Sequence, residues 1–148
     1  MTAPLKTAFW TVPLTLLALV GAAADVDAGE LRATIHNVKP NQGRLMVALY
    51  DSEAARQADR PWAGQFLPST GSELTVVFTG LPPGRYGVAV YQDRDGNGRL
   101  DTNLVGIPTE PYGFGMPGPA PRLPPSFDRF ALTVAADGVV TTDVRMTP

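Results

Sequence analysis

Glu73-Leu74-Thr75-Val76-Val77-Phe78-Thr79-Gly80-Leu81-Pro82-Pro83-Gly84-Arg85-Tyr86-Gly87-Val88-Ala89-Val90-Tyr91-Gln92 reads as two strands and the turn between them. Leu74, Val76 and Phe78 fall on one face of the first strand, the period of two that marks β-structure. Gly80 to Gly84 is a tight Gly/Pro connection. In the second strand, Arg85 to Gln92, Tyr86, Val88 and Val90 share a face. Gly87 and Ala89 on the other face leave room for close approach.

This second strand runs directly into Asp93-Arg94-Asp95-Gly96-Asn97-Gly98-Arg99-Leu100-Asp101. Calcium loops place ligands at positions 1, 3, 5 and 9, a backbone carbonyl at 7 and a glycine at 6. Counted from Asp93, those positions are Asp95, Asn97 and Asp101, with the Arg99 carbonyl and Gly98. Position 12, a bidentate Glu in the full pattern, is Leu104. The other reading is a plain turn, because Asp-Gly and Asn-Gly tolerate positive φ. If calcium is the cofactor, water or another residue must complete its six to eight oxygens, and Glu110 is the nearest carboxylate downstream. Gly106-Ile107-Pro108 can turn the chain so that Glu110 meets the loop, as a direct ligand or as an outer acceptor. The alternative for Glu110 is a salt bridge to Arg94, Arg99 or Arg122. Affinity is expected to be weak, about 10⁻⁴ to 10⁻³ M, as in extracellular modules.

Upstream, Leu31 to Ile35 alternates and reads as the first strand. Lys39-Pro40-Asn41-Gln42-Gly43 is turn chemistry. Arg44 to Tyr50 is the second strand, apolar on both faces and therefore central. Asp51 to Ala58 carries helix formers, with Asp51 or Ser52 as cap. Pro61, Trp62, Gly64 and Pro68 read as a loop, with Trp62 and Phe66 as a lid on the core.

Downstream, residues 104–125 hold seven of the chain's 15 prolines and four glycines. That excludes a helix and any central strand. So long a loop is functional or mobile, and Tyr112, Phe114 and Met116 argue that it packs back over the sheet. Phe127 to Ala135 reads as a fifth strand with Phe130, Leu132 and Val134 inward. Asp137-Gly138 is a two-residue hairpin turn. Val139 to Met146 is the last strand, with Val140, Val144 and Met146 on the core side. Short strands, Gly/Pro turns and almost no helix predict an all-β antiparallel sandwich of about seven strands, Ig-like in kind.

Residues 1–28 stand apart. Lys6, the apolar run Ala8 to Val20 and Gly21-Ala22-Ala23-Ala24 have the layout of a secretory signal peptide, cleaved after Ala24 or after Ala28. An uncleaved anchor is the alternative, against which stand the short apolar core and Pro13. The remainder, 29–148, is one domain with a periplasmic or secreted setting, free of the membrane after processing. Cysteine is absent, so neither a disulfide nor a thiolate metal site contributes. Twelve basic against 14 acidic residues give a net charge of −2, which excludes a nucleic-acid partner of the basic-stripe kind.

The run Val77 to Val90 resembles the strand–turn–strand of prealbumin-like (transthyretin-like, carboxypeptidase regulatory-like) sandwiches. A fuller resemblance, over Gly43 to Met146, is to DUF2141, a bacterial family of exported proteins. It rests on residues 43–51, on Asp93 to Asp101, on Gly106-Ile107-Pro108-Thr109-Glu110-Pro111-Tyr112-Gly113-Phe114, and on Pro124-Pro125-Ser126-Phe127. Gly115 departs from the pattern, where a Ser is expected. The resemblance implies the fold and the exported setting and supplies no reaction.

Two function classes follow. One is a non-catalytic cell-envelope module, binding or structural, with an envelope protein or a carbohydrate as partner. Its candidate contacts are Tyr91, Tyr112, Phe114 and Met116, which alternatively cover the core. The other is a hydrolase, since some transthyretin-like proteins hydrolyse a purine-degradation intermediate with several histidines and an Arg. This chain has one histidine, His36, and general-base catalysis needs a base with a partner in reach. A carboxylate pair from Asp93, Asp95, Asp101 and Glu110 is conceivable for glycoside hydrolysis. The same residues are better explained as oxygen ligands.

Overall fold

In the computed structural model, residues 28–148 are described. The expected signal segment lies outside them, apart from Ala28. Eight strands and two short helices follow in the order β1 (Gly29–His36), β2 (Arg44–Tyr50), α1 (Glu53–Gln57), β3 (Ala63–Pro68), β4 (Glu73–Leu81), β5 (Gly84–Asp93), β6 (Tyr112–Phe114), α2 (Phe127–Phe130), β7 (Leu132–Val134) and β8 (Val139–Arg145). The fold is all-β, as its alternation predicts. Among the described residues no helix is long and apolar enough to cross a membrane.

Two sheets form the layers. The smaller has the order β4-β1-β8, and the larger β3-β2-β5-β6, with β7 pairing β5 beyond the end of β2. Leu31, Ala33 and Ile35 of β1 are fully buried between the sheets against Leu45, Val47 and Leu49 of β2, Val76 and Phe78 of β4, and Val88 and Val90 of β5. Burying such side chains supplies about 1.5–3 kcal/mol each, and this core holds the sheets together.

The apolar outer faces of β2 and β5 require a second cover. Tyr50, Tyr112, Phe114, Phe127 and Phe130 provide it as a separate cluster on Ala48, Ala89 and Tyr91. Gly87 is what admits the helix here. A Cβ at Gly87 would lie 2.5 Å from Cε2 of Phe130, closer than packed carbons approach.

Several expectations are corrected. Residues 63–68 are a strand, not a loop, paired antiparallel with β2. Gly64 and Pro68 are tolerated because β3 is an edge strand. Trp62 and Phe66 do not lid the core: they are 52% and 67% exposed. The Arg44 guanidinium lies 5.6 Å from the Phe66 ring centroid.

Phe127 to Phe130 is a helical turn rather than the start of a strand, so Phe127 and Phe130 both reach the outer cluster. Asp137-Gly138 is a turn, but not of a hairpin: β7 pairs β5, whereas β8 crosses to the other sheet and pairs β1. That β1–β8 pairing is parallel, the one departure from antiparallel order among the strand pairs of the described residues. The 104–125 stretch also divides. Its 112–114 portion is an edge strand on β5, while Leu104, Val105 and Ile107 stay exposed rather than packing back.

Candidate functional site

The acidic loop is built around a buried carboxylate. Asp93 ends β5 and is 0% exposed. Its Oδ1 accepts the Gly96 N–H at 2.8 Å and its Oδ2 the Gly98 N–H at 3.0 Å, while Arg44 Nε stands 3.6 Å from Oδ2. Both glycines take positive φ, 78° and 77°, which turns their N–H groups back on the carboxylate. Asp95 Oδ1 accepts the Asn97 N–H at 3.0 Å. The Asn97 side-chain amide donates to Asp95 Oδ2 at 3.1 Å and to both Asp101 oxygens at 2.8 and 2.9 Å. Asn97 Oδ1 accepts from Arg99 N at 2.9 Å.

Glu110 folds onto this loop. Its Oε1 accepts the Arg94 N–H at 2.7 Å and its Oε2 the Asp101 N–H at 3.2 Å. Of the roles open to Glu110, a salt bridge to Arg94, Arg99 or Arg122 is not what the structure has. One carboxylate oxygen each from Asp93, Asp95 and Glu110 can be chosen so that all lie within 4.8 Å of one another. That is the spread of oxygens around one calcium, whose bonds are 2.3–2.6 Å long.

The charges are uneven. Burial pushes the Asp93 carboxyl up, but the N–H groups of Gly98 and Gly96 and the Arg44 guanidinium outweigh it, and the net displacement is downward. Asp95 goes the other way. The Asn97 N–H favours its charged form, yet burial and the carboxylates of Asp101 and Glu110 prevail and raise it. Like charges gathered in this way are relieved by a cation.

Beside the loop, the outer face of the larger sheet is concave. A groove of about 690 Å³ is walled by Met46, Ala48 and Tyr50 of β2, Phe66 of β3, Ala89 and Tyr91 of β5, Tyr112 and Phe114 of β6, and Gly98, Arg99 and Leu100 of the acidic loop. The tyrosine hydroxyls are used by the protein. Tyr50 donates to Asp59 Oδ1 at 2.9 Å, Tyr91 to the Gly98 carbonyl at 2.9 Å, and Tyr112 to the carbonyls of Pro121 and Arg122 at 2.8 and 2.7 Å. Burial, reinforced by Asp59, holds the Tyr50 hydroxyl protonated well above its ordinary range. What the groove offers is therefore ring faces and aliphatic surface. A second depression of about 480 Å³ lies against residues 37–39, 119–120 and 145–148.

The structure brings Tyr91, Tyr112 and Phe114 together in the groove wall. Met116 packs against the outer cluster instead. Tyr112 and Phe114 also serve the cover role, being largely buried. The reading from sequence missed Met46, Tyr50, Phe66, Arg56 and Asp59. The two-sided apolarity of β2 was the available signal for Met46 and Tyr50. Phe66 had none, because its strand was unread. His36 sits in the other sheet, with Nδ1 2.9 Å from Glu73 and Nε2 2.8 Å from Asp143, so it ties β1 to both of its neighbours.

Fold and site together define a class: a small all-β protein of two layered sheets, with an acidic loop and an aromatic groove sharing a wall. The chain belongs to DUF2141, described as an uncharacterized protein conserved in bacteria, whose family model matches residues 33–142. The resemblance drawn from the loop and its flanking motifs is thereby borne out. No curated protein and no solved structure matches the chain.

Proposed function

We propose that this protein is an exported, non-catalytic binding module of the bacterial envelope, and that the groove on the larger sheet is its binding surface. The observation that carries the reading is the groove itself. Its volume, about 690 Å³, lies within the range of small-ligand sites, and its walls are aromatic and aliphatic. Three tyrosine hydroxyls already donate to protein oxygens, and most of what remains exposed in the groove is ring face and aliphatic carbon, which suits an apolar body. The test is an NMR titration of the processed chain with 1-octanol. Shift changes are expected at Met46, Ala48, Tyr91 and Phe114. Absence of saturable changes there would defeat the reading. For export, the mature form is expected to begin at Asp25 or Gly29, and a membrane-embedded form retaining Met1 would contradict it.

A second reading of the same end of the molecule is favoured by the convergence of Asp93, Asp95 and Glu110. In this reading the loop binds calcium weakly, with Asp101 and the Arg99 carbonyl as further oxygen donors, joined by Asn97 Oδ1 once its amide, whose nitrogen faces Asp95 and Asp101 without the ion, turns over. The ion would be structural, stiffening the wall formed by Gly98 to Leu100. Each oxygen of Asp93 and Glu110 accepts one N–H and keeps a second lone pair for a cation.

A further inference from the structure

The charged residues that line the groove are Arg56, Asp59 and Arg99. Two of them are already engaged. The Arg56 guanidinium is held by Glu53, through Nε at 3.2 Å and Nη2 at 2.5 Å. Asp59 accepts the Tyr50 hydroxyl. Arg99 differs. Its main-chain N–H is held by Asn97, but its guanidinium makes no hydrogen bond or ion pair among the described residues. It stands on the acidic loop next to Leu100, where the loop meets the apolar floor.

We infer that the groove's ligand is an anionic amphiphile: a straight apolar body along the floor and one oxyanion head, carboxylate or phosphate, at Arg99. The inference rests on the groove reading above and adds the charge. The floor crosses β3, β2, β5 and β6, at about 4.8 Å per neighbouring pair, which makes it about 14 Å long. That favours an extended body over a compact one. A planar guanidinium with spare N–H groups matches an oxyanion in a fork that no neutral head can use. The bound Tyr50, Tyr91 and Tyr112 hydroxyls leave few donors to compete for that head.

The experiment compares octanoate, octyl phosphate and 1-octanol, each below its aggregation limit, by calorimetry on the processed chain. Octanoate or octyl phosphate should bind about tenfold more tightly than octanol, the scale of one hydrogen bond to a charged group. Which of the two is tighter identifies the head. Arg99→Gln should abolish the preference, read as the ratio of anion to octanol affinity in the same variant, and Arg99→Lys should keep part of it. An unchanged amide spectrum outside the loop serves as the folding control. Equal binding of octanol and the anions overturns the inference and leaves the groove reading standing. A preference that survives Arg99→Gln assigns the charge elsewhere and also overturns it. If none of the three binds, the groove reading falls and the inference with it.

Discussion

The Glu110 carboxylate holds the Arg94 main-chain N–H at 2.7 Å, sixteen residues back along the chain. Through its other oxygen it also holds Asp101 N, so one side chain spans the acidic loop from its start to its end. Glu110→Ala leaves both N–H groups without that acceptor. Hydrogen bonds to charged groups contribute about 1.5–3 kcal/mol, so a loss of that order is expected in denaturant melts. Glu110→Gln, which retains one carbonyl oxygen, should lose less. Hydrogen exchange should accelerate at Arg94 and Asp101 in particular. Unchanged protection at those two amides would show that Glu110 does not close the loop.

Calcium at millimolar concentration should raise the melting temperature through linkage. Asp93→Ala should abolish the rise and Glu110→Gln should reduce it. The carboxylates must be ionised to ligate, and Asp95 is displaced upward by burial and its carboxylate neighbours. Calcium affinity is therefore expected to weaken on acidification, and to begin doing so above the range of an ordinary Asp carboxyl. A melting temperature indifferent to both calcium and chelator reduces the loop to a turn.

Gly87 and Phe130 are coupled sterically. Gly87→Ala should cost about 1–3 kcal/mol by overpacking against the ring, and Phe130→Ala about 3–5 kcal/mol by leaving a cavity. The double variant should be less destabilised than the sum of the two, because without the Phe130 ring the new methyl meets only Phe127 Cε2, at an ordinary 3.4 Å. Strict additivity in equilibrium unfolding would contradict the packing.

Glu53 joins the two helices. It binds Arg56 within α1, and its Oε2 accepts the Phe127 N–H of α2 at 2.6 Å. The bonds from Arg56, and then from Phe127 N–H, hold its carboxyl at about 2, below the ordinary 4.5. A folded-state value below the unfolded one stabilises the protein above about pH 4.5, and that contribution is lost as pH falls toward 2. Exposure to solvent keeps it small. Glu53→Gln should flatten the acid limb of the stability–pH curve in this window. An identical limb in the variant would show that the clip does not titrate with folding.

Alternation by itself determined most of the fold. Leu74, Val76 and Phe78, or Tyr86, Val88 and Val90, can bury one face only as strands, so β1, β2, β4, β5 and β8 were legible, as was the helical turn capped by Ser52. The loop from Asp93 to Asp101 was legible too, because Gly96 and Gly98 at positive φ and carboxylates at alternating positions are local requirements. That Glu110 folds toward the loop was an inference from spacing, and its carboxylate does meet the loop, at the Arg94 and Asp101 N–H groups.

Tertiary structure decided the rest. β3 carries Gly64 and Pro68 and becomes a strand because β2 offers a free edge. β6 has only three residues, too few to show a period, and exists because it pairs with β5. Phe127 to Phe130 has strand-like composition but coils into a turn, which lets two rings fill the space above Gly87. Whether Asp137-Gly138 closes a hairpin or sends the chain to the opposite sheet depends on which edge lies open at that point, and local residues do not encode that. The groove has the same origin. Its wall joins segments far apart in the chain, and only their packing brings Met46, Phe66, Arg99 and Phe114 to one surface.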